Sequence, residues 1–167
     1  MPDLDATLVI AITSGTGEAK TELAAFDAAL CDAGIGGYNI ICMSSVIPAG
    51  SQLVRSMPAE RPEEFGNRLY VVLSKALERT KGRSAWAGLG WIRDRSTGCG
   101  LLVEHSSGTE EDLLRQIRDS LNGVSCNRRW TDCDSDYVTT GVPCKGDPVC
   151  AVVAAVFWIT PWLPPPT

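Results

Sequence analysis

Asn39-Ile40-Ile41-Cys42-Met43-Ser44-Ser45-Val46-Ile47-Pro48 is an apolar run that halts on two hydroxyls and resumes with a branched aliphatic pair and a proline. Its composition predicts a strand, the second of the chain. Two serines at a strand end have a plain reading, with hydroxyls satisfied by the turn. No histidine neighbours them and no Gly-x-Ser-x-Gly elbow surrounds them, which disfavours a hydrolase serine.

Upstream, Thr7 to Thr13 is rich in β-branched residues and predicts a buried strand, with Ser14 to Lys20 as a loop. Thr21 is placed to cap a helix with Leu23, Phe26 and Leu30 on one face and Gly34 as its terminator. Downstream, residues 48 to 67 read as a long connection, of the kind that is usually functional or mobile. Strands are expected at Arg68 to Ser74, Ala85 to Asp94 and Cys99 to His105. Thr109 opens a second helix that Gly123 would end, with Leu113, Leu114, Ile117 and Leu121 at helical spacing. Tyr137 to Val142 and Val149 to Trp158 complete the set, the last so apolar that it belongs at a sheet centre. Pro161 to Thr167 is a polyproline-like tail. About seven strands and two helices predict a layered α/β fold with a largely antiparallel sheet, in a single domain over 1–160.

At 167 residues, with 44% hydrophobic and 21% charged residues, the chain has the make-up of one globular domain. A net charge of −5 without a basic block argues against nucleic acid. The longest apolar run, Val149 to Ile159, is too short to span a bilayer. No basic, apolar leader opens the chain. Together with an odd set of seven cysteines, that predicts a cytoplasmic protein with free thiols.

Several residues compete for chemistry. Ser14-Gly15-Thr16-Gly17 ahead of a helix suggests a phosphate loop, but it lacks the Gly-Lys-Ser/Thr ending, and a plain strand-to-helix turn is the stronger reading. Cysteines 126, 133, 144 and 150 lack the short pairing of zinc sites, so no metal is expected. Glu104 ends the apolar strand Leu101-Leu102-Val103, where a carboxylate needs solvent, a partner or a shifted pKa. Strand alternation turns His105, the only histidine, to the opposite face. Asp27 sits among alanines with no basic neighbour within a turn and reads as solvent-facing.

Taken together the motifs resemble the pyruvoyl-dependent arginine decarboxylase family. The resemblance rests on Leu23-Ala24-Ala25-Phe26-Asp27-Ala28-Ala29-Leu30, on Ala33-Gly34-Ile35-Gly36-Gly37-Tyr38-Asn39 and on Ser44-Ser45-Val46-Ile47-Pro48, in that order. The Ser-Gly-Thr-Gly-Glu stretch, the Gly100 to Glu104 strand and the apolar last strand fit as well. The resemblance implies an αββα sandwich and self-cleavage between Ser44 and Ser45, into a β chain of 1–44 and an α chain of 45–167. Ser45 would become a covalently bound pyruvoyl group, which does the work of pyridoxal phosphate without that cofactor, through a Schiff base to the substrate amine. Asn39 would assist the cleavage by donating to the developing oxyanion, and Glu104, in an apolar setting, would be the general acid of decarboxylation. Asp27 would receive the guanidinium of arginine. Leu23, Gly36, Tyr38 and Val46 would line that pocket, Tyr38 being bulkier than the aliphatic side chain expected there. A homotrimer with active sites between subunits is implied, in some members paired into a hexamer. Decarboxylation of another amino acid, and an uncleaved non-catalytic trimer, are the alternatives.

Overall fold

The computed structural model describes residues 7–58 and 61–162. In chain order the elements are β1 (Val9–Glu18), α1 (Glu22–Asp32), β2 (Asn39–Cys42), β3 (Val46–Ile47), β4 (Gln52–Arg55), a 3-10 turn (Pro62–Glu64), β5 (Arg68–Glu78), β6 (Ser84–Asp94), β7 (Gly100–Ser107), α2 (Glu110–Arg128), β8 (Cys133–Pro143) and β9 (Val149–Thr160). The strands form two sheets, one ordered β2-β5-β9-β1-β4 and one ordered β3-β7-β6-β8. Pairing is antiparallel except for β1 with β4 and β2 with β5.

Side-chain alternation builds the layers. Along β9, Val149, Ala151, Val153 and Ala155 point into the space between the sheets, where they meet Ile10, Ile12, Val72, Leu89 and Leu102. Cys150, Val152, Ala154 and Val156 point the other way, against Ala25, Ala29 and Leu30 of α1. A strand buried on both faces must be apolar throughout, and β9 is at the centre of its sheet, as expected. On the far side, Leu113, Ile117 and Leu121 of α2 cover Ile92 and Val103. Helix, sheet, sheet and helix stack in that order, which makes the expected αββα sandwich.

The helices start and stop for local reasons. The Thr21 hydroxyl accepts from the Ala24 N–H at 3.2 Å, and that of Thr109 from the Asp112 N–H at 3.3 Å. Gly34, at φ 74°, ends α1 while the Ile35 N–H returns to the Leu30 carbonyl. Gly123 does not end α2. The helix runs through it to Arg128, and Arg129 takes the left-handed terminal position at φ 58°.

Four further expectations need correction. Ser14 to Glu18 is strand, not loop: it pairs residue for residue with Val153 to Val149 of β9. The long connection after Pro48 carries β4, which pairs with β1, and the 3-10 turn. Leu23 does not share the buried face of α1 but is 77% exposed. The opening stretch is not one strand but two. β2 lies at one edge of the five-stranded sheet, β3 at one edge of the four-stranded sheet, and Met43-Ser44-Ser45 crosses between them. Beyond Trp162, the proline-rich tail lies outside the described residues.

Candidate active site

The crossing between the sheets is pinned on both sides. The Met43 N–H donates to the Val71 carbonyl of β5 at 2.8 Å, and the Leu102 N–H of β7 donates to the Ser45 carbonyl at 2.8 Å. Between these anchors the Val46 N–H donates to the Ser44 carbonyl at 2.9 Å, closing a three-residue turn around Ser45. The Ser45 hydroxyl donates to Glu104 Oε2 at 2.8 Å. Residues 59 apart in sequence therefore meet through side chains, because β3 begins against Leu101 of β7, three residues before Glu104.

Glu104 itself is exposed, on a part of β7 that extends past β3. The apolar setting expected for it is not supplied by this chain alone. It borders a cleft of about 420 Å³ with Leu73, Ser74 and Lys75 of β5. His105 points the other way, as alternation required, with Nε2 2.7 Å from Ser120 Oγ on α2. The strand is held in place from the opposite sheet. The Ser74 hydroxyl, almost fully buried, donates to the His105 carbonyl at 2.5 Å and accepts from the Gly88 N–H at 3.2 Å.

A second cavity, of about 470 Å³, lies beside the end of α1 and contains Asp27, Gly36 and Tyr38 with Arg61 and Phe65. Three of the five expected substrate residues thus share one hollow, and Leu23 and Val46 stand outside its lining. The Tyr38 hydroxyl donates to Glu64 Oε2 at 2.6 Å, while Glu64 Oε1 accepts from Arg61 at 3.1 Å. Burial first, and then the neighbouring Glu64 carboxylate, push the Tyr38 phenol up to about 12. The ring is therefore a neutral wall of the cavity.

Asn39 is not brought to the Ser44 carbonyl. Its side-chain amide donates to the Gly66 carbonyl at 2.6 Å, the same oxygen that takes the Trp162 indole N–H at 2.8 Å. Three residues of extended strand, about 10 Å, separate Asn39 from Cys42 alone. Among the described residues no group of three or more His, Cys, Asp or Glu is placed to hold a metal ion, and Cys144 and Cys150 are buried.

Ser74, Glu64 and the Val46 N–H were missed in the sequence. Ser74 had a signal: it is the one small polar side chain in Leu69-Tyr70-Val71-Val72-Leu73-Ser74, at an inward position where alternation calls for an apolar side chain. The other two had none, since their partners depend on how the turn at 62–66 and the crossing fold back.

The comparisons with known proteins agree with this architecture. The family described as pyruvoyl-dependent arginine decarboxylase (PvlArgDC) matches residues 9–160. A pyruvoyl-dependent arginine decarboxylase of Halobacterium salinarum is 33% identical over 150 residues, 89% of this chain and 92% of the relative. That of Methanopyrus kandleri is 31% identical over 150 residues, covering 89% of this chain and 95% of its own. That of Methanothermobacter thermautotrophicus is 39% identical over 99 residues, covering 59% and 61%. With nearly the whole described sandwich inside the match, the chain belongs to the pyruvoyl-dependent arginine decarboxylase family.

Proposed function

We propose that the protein is a self-processing decarboxylase that converts L-arginine to agmatine and carbon dioxide, using a pyruvoyl group made from Ser45. The observation that carries this reading is the 2.8 Å hydrogen bond from Ser45 Oγ to Glu104 Oε2 at the crossing between the sheets. A serine hydroxyl is a weak nucleophile until a base takes its proton, and Glu104 is in place to do so. Ser45 Oγ then bonds to the Ser44 carbonyl carbon, and the Ser44–Ser45 amide becomes an ester. Loss of the Ser45 Cα proton expels the Ser44 carboxylate, and water replaces the nitrogen, which leaves as ammonia. The products are chains 1–44 and 45–167. Both ends stay anchored, the first through β2 on β5 and the second through β3 on β7.

The residues at the crossing fit the group they would form. The Ser45 side chain has its proton acceptor, and its own carbonyl is fixed by Leu102. The pyruvoyl group supplies a keto carbon that takes the substrate amine and draws off the electrons released with carbon dioxide. Glu104 then has a second task, returning a proton to the substrate α-carbon. Asp27, in the cavity with Gly36 and Tyr38, offers a carboxylate to the guanidinium, whose planar fork suits two-point binding.

Asp27 and Glu104, the partner of Ser45, line different hollows of this chain, which favours sites completed by a neighbouring subunit, in a trimer or a pair of trimers. Exposed Leu23, Val46, Phe65, Trp158 and Trp162 supply apolar surface for such contacts. A decarboxylase for another amino acid is the second reading. Tyr38, held in the cavity by Glu64, favours it because the ring shortens the space beside Asp27.

Intact mass of the purified protein tests the reading first. Two fragments split after Ser44 are expected from the native chain, and Ser45→Ala should remain whole. A native chain that stays intact on long incubation would mean a non-catalytic homologue. Carbon dioxide release from each of the twenty amino acids then tests the substrate, and faster turnover of any other than arginine would overturn it. Glu104→Gln, unable to take the Ser45 proton, should slow both cleavage and decarboxylation by about 10²-fold or more.

A further inference from the structure

Attack of Ser45 on the Ser44 carbonyl drives negative charge onto the Ser44 oxygen, and a buried or crowded oxyanion needs a donor aimed at it. Asn39, expected in that role, is engaged at Gly66 on the other end of β2. The Ser44 oxygen already has a donor from its own turn. It accepts from the Val46 N–H at 2.9 Å, inside the range at which oxyanion-hole donors work.

That N–H is free for the task because of how β3 pairs. The Leu102 N–H goes to the Ser45 carbonyl, so Val46 and Leu101 face each other as a non-hydrogen-bonded pair. The Val46 N–H therefore points away from β7 and back to the peptide it follows. Glu104 approaches the same residue through the Ser45 side chain. The two groups thus address the two atoms whose charge changes in one step.

We infer that the Val46 backbone N–H is the oxyanion donor of self-cleavage. The inference rests on the self-cleavage proposed above and assigns a catalytic group within it. The Ser45 Oγ proton passes to Glu104 Oε2 as Oγ bonds to the Ser44 carbonyl carbon. The carbonyl π pair moves onto the Ser44 oxygen, held there by Val46. When that pair returns, the Ser44 C–Ser45 N bond breaks and Glu104 gives its proton to the nitrogen. An amide has become an ester with no atom gained or lost. The turn around Ser45 supplies the donor in the ground state, so no group has to reorganise as the charge forms.

The test removes this N–H alone. In the full-length chain, the valine at 46 is replaced by its α-hydroxy acid analogue, which keeps the side chain and turns the amide into an ester. Self-cleavage should slow by about 10²–10³-fold. Val46→Ala keeps the N–H and shortens the side chain, so its self-cleavage rate is the reference against which side-chain effects at this position are separated from loss of the N–H. Val46→Pro removes it by ordinary mutagenesis, with thermal melting as the check on folding, and should also be slow. Added hydroxylamine splits a Ser44–Ser45 side-chain ester once it exists, so it should not restore the native rate to the proline variant. The assignment is overturned if the hydroxy-acid chain cleaves within about threefold of native. It is equally overturned if hydroxylamine splits the proline variant at the native rate, since the ester would then form without the donor. A native chain that never cleaves overturns instead the self-cleavage reading beneath it.

Discussion

One hydroxyl, that of Ser74, ties the strand bearing Glu104 to the opposite sheet. It satisfies the His105 carbonyl and the Gly88 N–H at once, and both lie deep in the sandwich. Ser74→Ala leaves both without it, so a loss of about 1–3 kcal/mol is expected in denaturant unfolding. Because Glu104 adjoins His105, the variant should also cleave more slowly. Cleavage at the native rate would show that Ser74 serves stability only. Two further residues should weaken the fold at high pH. Burial pushes the Cys150 thiol from its ordinary 9.0 to about 11, and burial with Glu64 pushes Tyr38 from 10.0 to about 12. Both groups hold their protons more tightly folded than unfolded, so their contribution is complete below about pH 9 and is lost as pH rises through 11 and 12. The melting temperature of the native protein should fall across that window, and Tyr38→Phe with Cys150→Ala should flatten the fall. An unchanged slope in the double variant would place the alkaline limit elsewhere.

At the level of elements, β1 and α1 lie unusually close. A Cβ on Gly15 would stand 2.3 Å from the Ala29 carbonyl oxygen, and one on Gly17 would stand 2.3 Å from that of Ala25. Both obstacles are helix backbone, which cannot rotate aside. Gly17→Ala should therefore destabilise by more than about 3 kcal/mol, and Gly15→Ala likewise, measured by denaturant unfolding. Gly123→Ala, on the open face of α2, should be neutral or stabilising by up to about 1 kcal/mol. These glycines also explain where sequence reading went astray. In Ser14-Gly15-Thr16-Gly17 they look like chain breakers, yet they mark a strand under a helix, a contact that becomes visible only when Ala25 and Ala29 are known to face it. Gly123 had the same appearance and ends nothing. Alternation was a safer guide: it put Glu104 and His105 on opposite faces, because period-2 geometry needs no tertiary knowledge, and the unbroken apolar run of β9 placed that strand at the sheet centre. What alternation cannot tell is which sheet a strand joins, so Asn39 to Pro48 read as one strand. The break at Ser44-Ser45 was written in the hydroxyls, while the change of sheet was not.

For the whole molecule, the parts of the proposed reaction are spread over one chain. Asp27 and Tyr38 share a hollow by α1, Ser45 and Glu104 meet at the crossing, and Asn39 is fixed at Gly66. The proposed reaction needs Asp27 and Ser45 at a single site, and a closed ring of identical chains is the simple way to bring one chain's Asp27 to another's Ser45. Two inactive variants can test this directly. On the proposed roles, Ser45→Ala chains should keep Asp27 but make no pyruvoyl group, and Asp27→Ala chains should process normally but bind arginine poorly. If each site draws Ser45 and Asp27 from different chains, co-refolding the two in equal amounts restores both residues at roughly a quarter of the sites. Arginine decarboxylation should reappear at about that fraction of the native rate, rising from near zero in either variant alone. Mixing the assembled oligomers without unfolding should give nothing until subunits exchange. If each site takes both residues from one chain, no mixture can recover activity, because every chain carries one lesion. Flat activity in the co-refolded sample, with mixed oligomers present by mass, would therefore place the whole site within a single chain and require the Asp27 hollow to reach Ser45 by a rearrangement of α1.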